Sequence, residues 1–254
     1  MKILDNDNNQ FLANSSLLKG EQVFTSLLFF EGKFLFLSDH LDRLLKGAAF
    51  LFTQYHWESH KIEIEEYLLQ KMKNHSGNYY CRLTIVDDYF FVIVKEHQPV
   101  ETSIKLIKAV QVKTPNLRPS FLKLGQYADS FLELKRAQEM GADEIVFFDQ
   151  DHFATETSTS NIFVLLQSGK FVTPYLSSMV LGGILRSQLC KSLTVEEANI
   201  TEEDLVLARE IWITNSIKGI RFISSYQDQP MTFENSFFQT VLEKFGRYGE
   251  KNCE

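Results

Sequence analysis

The sequence predicts a two-domain protein of mixed α+β or α/β class, on three observations. Both halves of the chain alternate β-prone apolar runs with stretches of helical periodicity. The segment KTPNLRPSF at 113–121, with two prolines, an asparagine and an arginine, separates the halves and reads as a linker. The 254 residues suffice for one large or two modest domains. The expected division is a smaller N-terminal α/β domain over 1–113, a linker over 114–120 and a larger C-terminal domain over 121–254.

The elements follow in order. QVFTSLLFF and KFLFL are apolar runs separated by Glu31-Gly32, which predicts a hairpin between Glu21 and Phe36. Ser38-Asp39 is expected to cap a helix over HLDRLLKGAAFLF. HKIEIEEYLLQKMKN reads as a second amphipathic helix, and YYCRLTIVDDYFFVIVKE as a strand pair turning near Asp87-Asp88. A further strand is expected from Ser103 to Val112. Beyond the linker, YADSFLELKRAQEMGA predicts a helix ended by Gly141. EIVFFD and NIFVLL read as strands around a polar turn, DQDHFATETSTS, with KFVTP another strand. GGILRSQLCKSL predicts a helix, ITEEDLVLAREI a short helix with carboxylates in its first turn, IWITNS a strand and SFFQTVLEKFGRYGE a terminal helix.

Composition narrows the classes of function. A net charge of −7 argues against nucleic acid as a partner and leaves any anion site to be built locally. Cys81, Cys190 and Cys253 are odd in number, widely spaced and without a CxxC, which fits a reducing, cytoplasmic compartment. MKILDNDNNQFL lacks the apolar core of a signal peptide, and FLFL and LLFF are too short to span a bilayer, so no membrane association is expected. The histidines show neither metal-ligand spacing nor HExxH, and GxSxG and the P-loop are absent. The 22 phenylalanines are read as core.

The stretch from Phe121 to Arg186 carries the chemistry. Lys123 stands just ahead of a helical pattern, Glu156 lies among small hydroxyl residues in TETSTSN, and Gly182-Gly183 opens a helix. An amine that can bond an aldehyde, a carboxylate that can hold a pyridine nitrogen protonated, and a helix start that can bind a phosphate are together what pyridoxal 5'-phosphate requires.

The order K…Y…GADE…TETSTSNIF…TP…GGILR, followed by ITNS, resembles the class IV aminotransferase family, fold type IV of the pyridoxal-phosphate enzymes. The resemblance spans about Gly20 to Ile223 and implies a homodimer acting on a small-molecule amine. It implies that Lys123 is the catalytic lysine that bonds the cofactor, that Tyr127 hydrogen-bonds its ring hydroxyl and that Glu156 faces its pyridine nitrogen. Gly183, Ile184 and Leu185 would hold the phosphate through backbone amides, with Ser216, and the amide of Ile217, adding to them. Arg43, in HLDRL, would reach the phosphate, and His40 in the same motif would orient its helix. Some relatives have threonine where Leu185 stands.

The departures fall on the substrate side. LKGEQVFTSLL replaces the YGDGVFET-like strand of many relatives, and Leu27-Leu28 stand where some carry an arginine. VDDYFF replaces a loop of SRG type. Two reactions share the implied cofactor. One is a lyase converting 4-amino-4-deoxychorismate to 4-aminobenzoate and pyruvate, a step of folate biosynthesis. The other is an aminotransferase acting on branched-chain or D-amino acids. The chain length, the TNSIKGI segment and Ser26, which falls near a hydroxyl associated with the lyase or is plain strand, favour the lyase. Substrate carboxylates need cationic or amide partners, and Arg82, Arg118, Lys218 and Arg221 are the candidates.

Overall fold

The computed structural model describes residues 1–4, 19–98, 104–115, 117–177 and 179–231. Its contacts divide the chain into two units, Met1–Pro99 with Phe121–Tyr127, and Val100–Ser120 with Ala128–Glu254. The expected first domain over 1–113 and the single crossing at 114–120 therefore differ from the contact division. The reason lies in two pairings. The strand Ile104–Lys108 is hydrogen-bonded into the second unit's sheet, while Leu124 bridges Val23 and the Phe24 amide donates to the Lys123 carbonyl at 3.0 Å.

The first unit is a five-stranded sheet covered by helices. Its strands are β1 (Lys2–Leu4), β2 (Val23–Phe30), β3 (Lys33–Phe34), β4 (Tyr79–Val86) and β5 (Tyr89–Glu96), in the order β1-β5-β4-β2-β3. The hairpins β2–β3 and β4–β5 fall where the sequence places them, turning at Glu31-Gly32 and Asp87-Asp88. Strand alternation gives the sheet two different faces. Leu27, Phe29, Cys81, Leu83 and Ile85 point into a core closed by α1 (Leu37–Leu51) and α2 (Lys61–Met72). Phe24, Ser26, Arg82 and Thr84 occupy the other face.

Ser38 and Asp39 do not cap α1. The N-cap is Phe36, held left-handed at φ 53°, ψ 37° with no side-chain cap, and the Ser38 hydroxyl instead accepts from Lys61 Nζ at 2.9 Å. Ser38 and Asp39 lie inside the first turn because the hairpin ends earlier than KFLFL suggests, at Phe34.

The second unit is built on a nine-stranded sheet. Its strands are β6 (Ile104–Lys108), β7 (Glu144–Phe148), β8 (Ala154–Thr157), β9 (Asn161–Leu165), β10 (Phe171–Thr173), β11 (Glu196–Glu197), β12 (Glu210–Asn215), β13 (Gly219–Tyr226) and β14 (Gln229–Pro230). They run β11-β10-β9-β12-β13-β6-β7-β8, with β14 on β13. A further pairing, Glu156 opposite Asn161, joins β8 back to β9. The strands β9, β12, β13, β6, β7 and β8 therefore form a closed ring, which leaves those edges paired. Ile104, Leu106, Val146, Ile162, Ile213 and Ile223 meet in its core.

Three helices among the described residues complete this unit. α3 (Ala128–Glu139) ends before Gly141 at φ 81°, as expected, and packs Ala137 against Ile145 and Phe147. α4 (Ile184–Ser192) starts from Gly183. α5 (Glu202–Val206) has a capping box in which Thr201 Oγ1 accepts from the Asp204 amide at 3.1 Å and Asp204 Oδ2 from the Thr201 amide at 2.8 Å.

Three expectations change here. The polar stretch ATET is strand β8 and not turn, because its ladder partners on β7 and β9 decide the conformation. The strand expected over Ser103–Val112 is described only for Ile104–Lys108. β13 was not anticipated, since GIRFISSY mixes a cation and serines into an apolar pattern. The terminal helix expected in SFFQTVLEKFGRYGE lies outside the described residues. No described helix is long and apolar enough to cross a membrane, and among the described residues no cluster of three His, Cys, Asp or Glu could hold a metal.

Gly47 tests the packing of α1 on β2. Replacing glycine with alanine in a helix normally stabilises by roughly 1 kcal/mol. Here a Cβ would stand 2.7 Å from Val23 Cγ2 and 3.4 Å from Leu122 Cδ1, both buried. Gly47→Ala is expected to reverse the usual sign and destabilise by about 1–3 kcal/mol. Denaturant unfolding followed through Trp57, the tryptophan of the first unit, measures it, and any gain in stability contradicts the packing.

Candidate active site

In the first unit several candidate residues gather on the face of β2 that carries Phe24 and Ser26. Lys123 Nζ donates to Tyr127 Oη at 2.7 Å and lies 4.8 Å from the centre of the Phe24 ring. Tyr127 meets Phe24 edge-on, with ring centroids 5.8 Å apart. Arg82 stacks on Phe24 with its guanidinium carbon 3.7 Å from the ring centre. Directly opposite Arg82 in the ladder stands Ser26, whose hydroxyl is 3.3 Å from Tyr80 Oη. Lys123, Tyr127 and Arg82 are thus gathered around one aromatic ring, with Ser26 across the ladder from Arg82. Leu27 and Leu28, where some relatives have an arginine, are buried.

Arg43 projects from α1, and its Nη2 donates to Thr25 Oγ1 at 2.8 Å. Thr25 Oγ1 also lies 2.7 Å from Nδ1 of His40. A hydroxyl has one proton and two acceptor positions, so Thr25 can accept from Arg43 and still either donate to Nδ1 of His40 or accept from it, while Nε2 has no hydrogen-bond partner. Burial above all, then Arg43 and Lys123, holds the His40 pKa well below its ordinary value, so the ring is neutral. Burial lowers the Arg43 pKa to about 10, with Tyr127 opposing the shift, and Arg43 remains a cation near neutrality.

In the second unit the carboxylate of Glu156 is held on both sides. Lys113 Nζ donates to its Oε1 at 2.6 Å and the Leu181 amide to its Oε2 at 2.9 Å. Lys113 is brought there because its amide donates to the Phe148 carbonyl at 2.8 Å, extending the chain along the end of β7. A carboxylate offers about four acceptor positions, so capacity remains for another donor. Asn161, across the ladder from Glu156, donates from Nδ2 to the Leu181 carbonyl at 2.8 Å. The two paired residues therefore grip opposite sides of Leu181 and fix the turn into α4.

The helix start is partly committed. The Gly183 amide donates to the Leu181 carbonyl at 2.8 Å, whereas the amides of Ile184 and Leu185 open the first turn and have no carbonyl one turn back within the helix. A Cβ on Gly183 would lie 2.0 Å from Asn161 Oδ1, so only glycine fits under that amide. At the end of β12, Asn215 Nδ2 donates to Ser160 Oγ at 2.9 Å, and its Oδ1 accepts from the amides of Ile217 at 3.0 Å and Lys218 at 2.7 Å. The Ile217 amide is thus engaged inside the turn, contrary to the expectation that it faces an anion. Ser216 heads that turn.

Sequence reasoning missed Lys113, Thr25 and Asn161. Lys113 is 43 residues from Glu156 and sits in a segment read only as linker. Thr25 lies 15 residues from His40, and nothing local marks it as a partner. Asn161 could have been suspected from the TSN sequence preceding an apolar strand.

The family model for amino-transferase class IV matches residues 22–226. The chain is 25% identical over 248 residues to the "Probable branched-chain-amino-acid aminotransferase" of Aquifex aeolicus, covering 84% of this chain and 79% of that protein. It is 24% identical over 232 residues to a D-alanine aminotransferase of Bacillus licheniformis, covering 83% and 80%. Among solved structures, a Legionella pneumophila protein carrying the name "Putative 4-amino-4-deoxychorismate lyase" matches with a TM-score of 0.79 at 19% identity, over 97% of this chain and 98% of that one. The branched-chain amino acid aminotransferase of Escherichia coli matches with a TM-score of 0.80 at 19% identity, over 94% and 88%. These structural likenesses establish a shared fold.

A neutral buried His40 has a consequence for acid stability. An unfolded histidine binds a proton near about pH 6.5. The native ring, its pKa depressed, does not bind one there, so its contribution is present above that pH and lost as pH falls. His40→Gln is expected to unfold less steeply with acid, by up to about 1.4 kcal/mol per pH unit below pH 6.5. Unfolding midpoints of Trp57 between pH 5 and 7.5 measure this, and identical profiles for variant and wild type contradict the neutral assignment.

Proposed function

Because this chain belongs to the class IV aminotransferase family, we propose that it is a lyase converting 4-amino-4-deoxychorismate to 4-aminobenzoate and pyruvate. The chain is an enzyme of fold type IV whose cofactor is pyridoxal 5'-phosphate. The donor set suits that group: a lysine amine against a phenol, a carboxylate with acceptor capacity, an arginine fork, and a helix start under glycine. When bound, the cofactor supplies an aldehyde that takes up an amine and a ring that withdraws electrons from the adjacent carbon.

In this proposal Lys123 anchors the cofactor and, once released, takes the proton from the amine-bearing carbon of the substrate. Tyr127, bonded to Lys123 Nζ, holds that amine and the cofactor's ring hydroxyl in register. Glu156 holds a proton on the pyridine nitrogen, and Lys113 fixes the direction in which the carboxylate points. Arg43, the amides of Ile184 and Leu185, and the hydroxyl of Ser216 take the phosphate, with Gly183 allowing close approach. Thr25 aims Arg43. A closed homodimer in the cytoplasm, acting on a small amine, completes the proposal.

The observation that carries the lyase over group transfer is the arrangement around Phe24. The Ser26 hydroxyl and the Arg82 guanidinium stand opposite one another on the face where Lys123 lies. A hydroxyl and a cation beside the proton-moving amine suit a substrate that carries a carboxylate away from its amine and sheds pyruvate. The second reading is an aminotransferase, favoured by the names of the two sequence relatives. An aminotransferase must store the amine and shows ping-pong kinetics, whereas the lyase requires no acceptor.

Pyruvate and 4-aminobenzoate are expected from 4-amino-4-deoxychorismate with no keto acid present. Leucine, glutamate and D-alanine are expected to leave the visible spectrum of the enzyme unchanged. Rapid bleaching by one of them, without pyruvate release, selects the aminotransferase. Glu156→Gln keeps the shape but removes the charge, and is expected to retain the cofactor while turnover falls by about 100-fold, roughly 2.7 kcal/mol. Unchanged turnover places Glu156 outside the chemistry.

A further inference from the structure

Phe24 holds Lys123 at both ends. Its amide donates to the Lys123 carbonyl at 3.0 Å, and the adjoining residues Val23 and Leu124 form an antiparallel bridge. The backbone that bears the lysine is therefore pinned against the start of β2, and Leu122 beside it is buried. At the far end, Lys123 Nζ stands over the Phe24 ring, 4.8 Å from its centre. The same Nζ donates to Tyr127 Oη at 2.7 Å, and the Tyr127 ring meets the Phe24 ring edge-on with centroids 5.8 Å apart. The amine thus sits in the corner between two rings, both within the first unit.

The Phe24 ring does not have the surroundings of a core side chain. It is 5% exposed, yet it lies on the sheet face opposite Leu27, Phe29, Leu83 and Ile85, which build the core. What stands over it is cationic, the Arg82 guanidinium carbon at 3.7 Å and Lys123 Nζ. The negative face of an aromatic ring attracts a cation within about 6 Å of its centre, more strongly out of water. Among the described residues, Tyr127, Arg82 on β4, and His40 and Arg43 on α1 are the titratable or charged groups near this amine. His40 is neutral, and the two guanidiniums oppose a positive charge on Nζ. The ring acts in the other direction and favours that charge.

We propose that Phe24 is a positioning residue that seats the Lys123 amine and stabilises, through its ring face, the positive charge that Nζ acquires on taking a proton. This rests on the reading that Lys123 takes the proton from the amine-bearing carbon of the substrate. In that step the C–H bond breaks, its electron pair remains with the carbon and the ring that withdraws electrons from it, and the proton bonds to Nζ to leave an ammonium. Charge developing at Nζ is met by a preformed, buried π face that need not reorganise. The seat serves a lyase and an aminotransferase alike, since both need this lysine as base.

Fluorine on the Phe24 ring tests the seat with little change of shape, because each fluorine draws electron density from the π face. Full-length protein with 4-fluoro-, 3,5-difluoro- or 3,4,5-trifluorophenylalanine in place of Phe24 is compared with wild type. In the protein without cofactor, trace acetylation by acetic anhydride over a pH series, quantified peptide by peptide, gives the midpoint at which each lysine becomes reactive. The Lys123 midpoint is expected to fall stepwise, by about half a pH unit at three fluorines. That of Lys46, which stands over the Phe121 ring at 4.3 Å, should not move. In the loaded enzyme kcat should fall about two- to fivefold over the series, with KM within about twofold of wild type. If the fluorinated chains fold poorly, Phe24→Tyr keeps the ring and should retain the wild-type midpoint, whereas Phe24→Leu should lower it. Borohydride reduction of the loaded wild type should fix the cofactor on Lys123. A Lys123 midpoint that ignores fluorination, or is equal in Phe24→Leu and wild type, overturns the seat alone when the cofactor is fixed on Lys123. Fixation on another lysine overturns the reading of Lys123 as base, and this inference with it.

Discussion

The pairing of Glu156 with Asn161 is the constraint on which the second unit depends. It closes six strands into a ring, and it sets two side chains to work on one peptide group. Glu156 accepts the amide of Leu181 and Asn161 donates to its carbonyl, so the turn into α4 is held from both sides. The start of that helix, where amides are exposed by geometry, is therefore located by the same pair that locates the carboxylate. Gly183 follows from this, since any side chain there would strike the Asn161 amide.

The first unit solves a different problem, how to keep a guanidinium and an imidazole inside packed protein. Thr25 does so with one hydroxyl. Its oxygen accepts from Arg43 and lies at hydrogen-bond distance from Nδ1 of His40. The His40 ring beside it is neutral. Burial and the neighbouring cations enforce that neutrality. The helix carrying HLDRL is thereby oriented through a side chain on β2, and its position relative to the sheet is tightened further by the close contact at Gly47.

Cations recur without matching carboxylates at several points of this acidic chain. Arg82 rests on the Phe24 ring, and Arg221 is buried with its Nε and Nη2 lacking a hydrogen-bond partner. A net charge of −7 offers no long-range attraction to an anionic substrate, so local placement of cations must supply it. Lys113 differs from these, because its cation is paired with Glu156.

By itself the sequence determined what depends on near neighbours. The hairpins around Glu31-Gly32 and Asp87-Asp88, the helices α1 to α5 and the glycine that ends α3 all follow from periodicity and turn chemistry spanning a few residues. The family also follows, because Lys123, Glu156, Gly183 and Ser216 keep a fixed order. Tertiary structure alone decided the rest. β8 is a strand because β7 and β9 flank it, although ATET reads as turn. Lys113 became the partner of Glu156, and Thr25 that of His40 and Arg43, through contacts between residues far apart in the chain. Ser38 and Asp39 lost their capping role to Phe36 because the preceding hairpin fixed where α1 could begin. In each case the deciding energy lies in hydrogen bonds and packing between elements, which local periodicity does not encode.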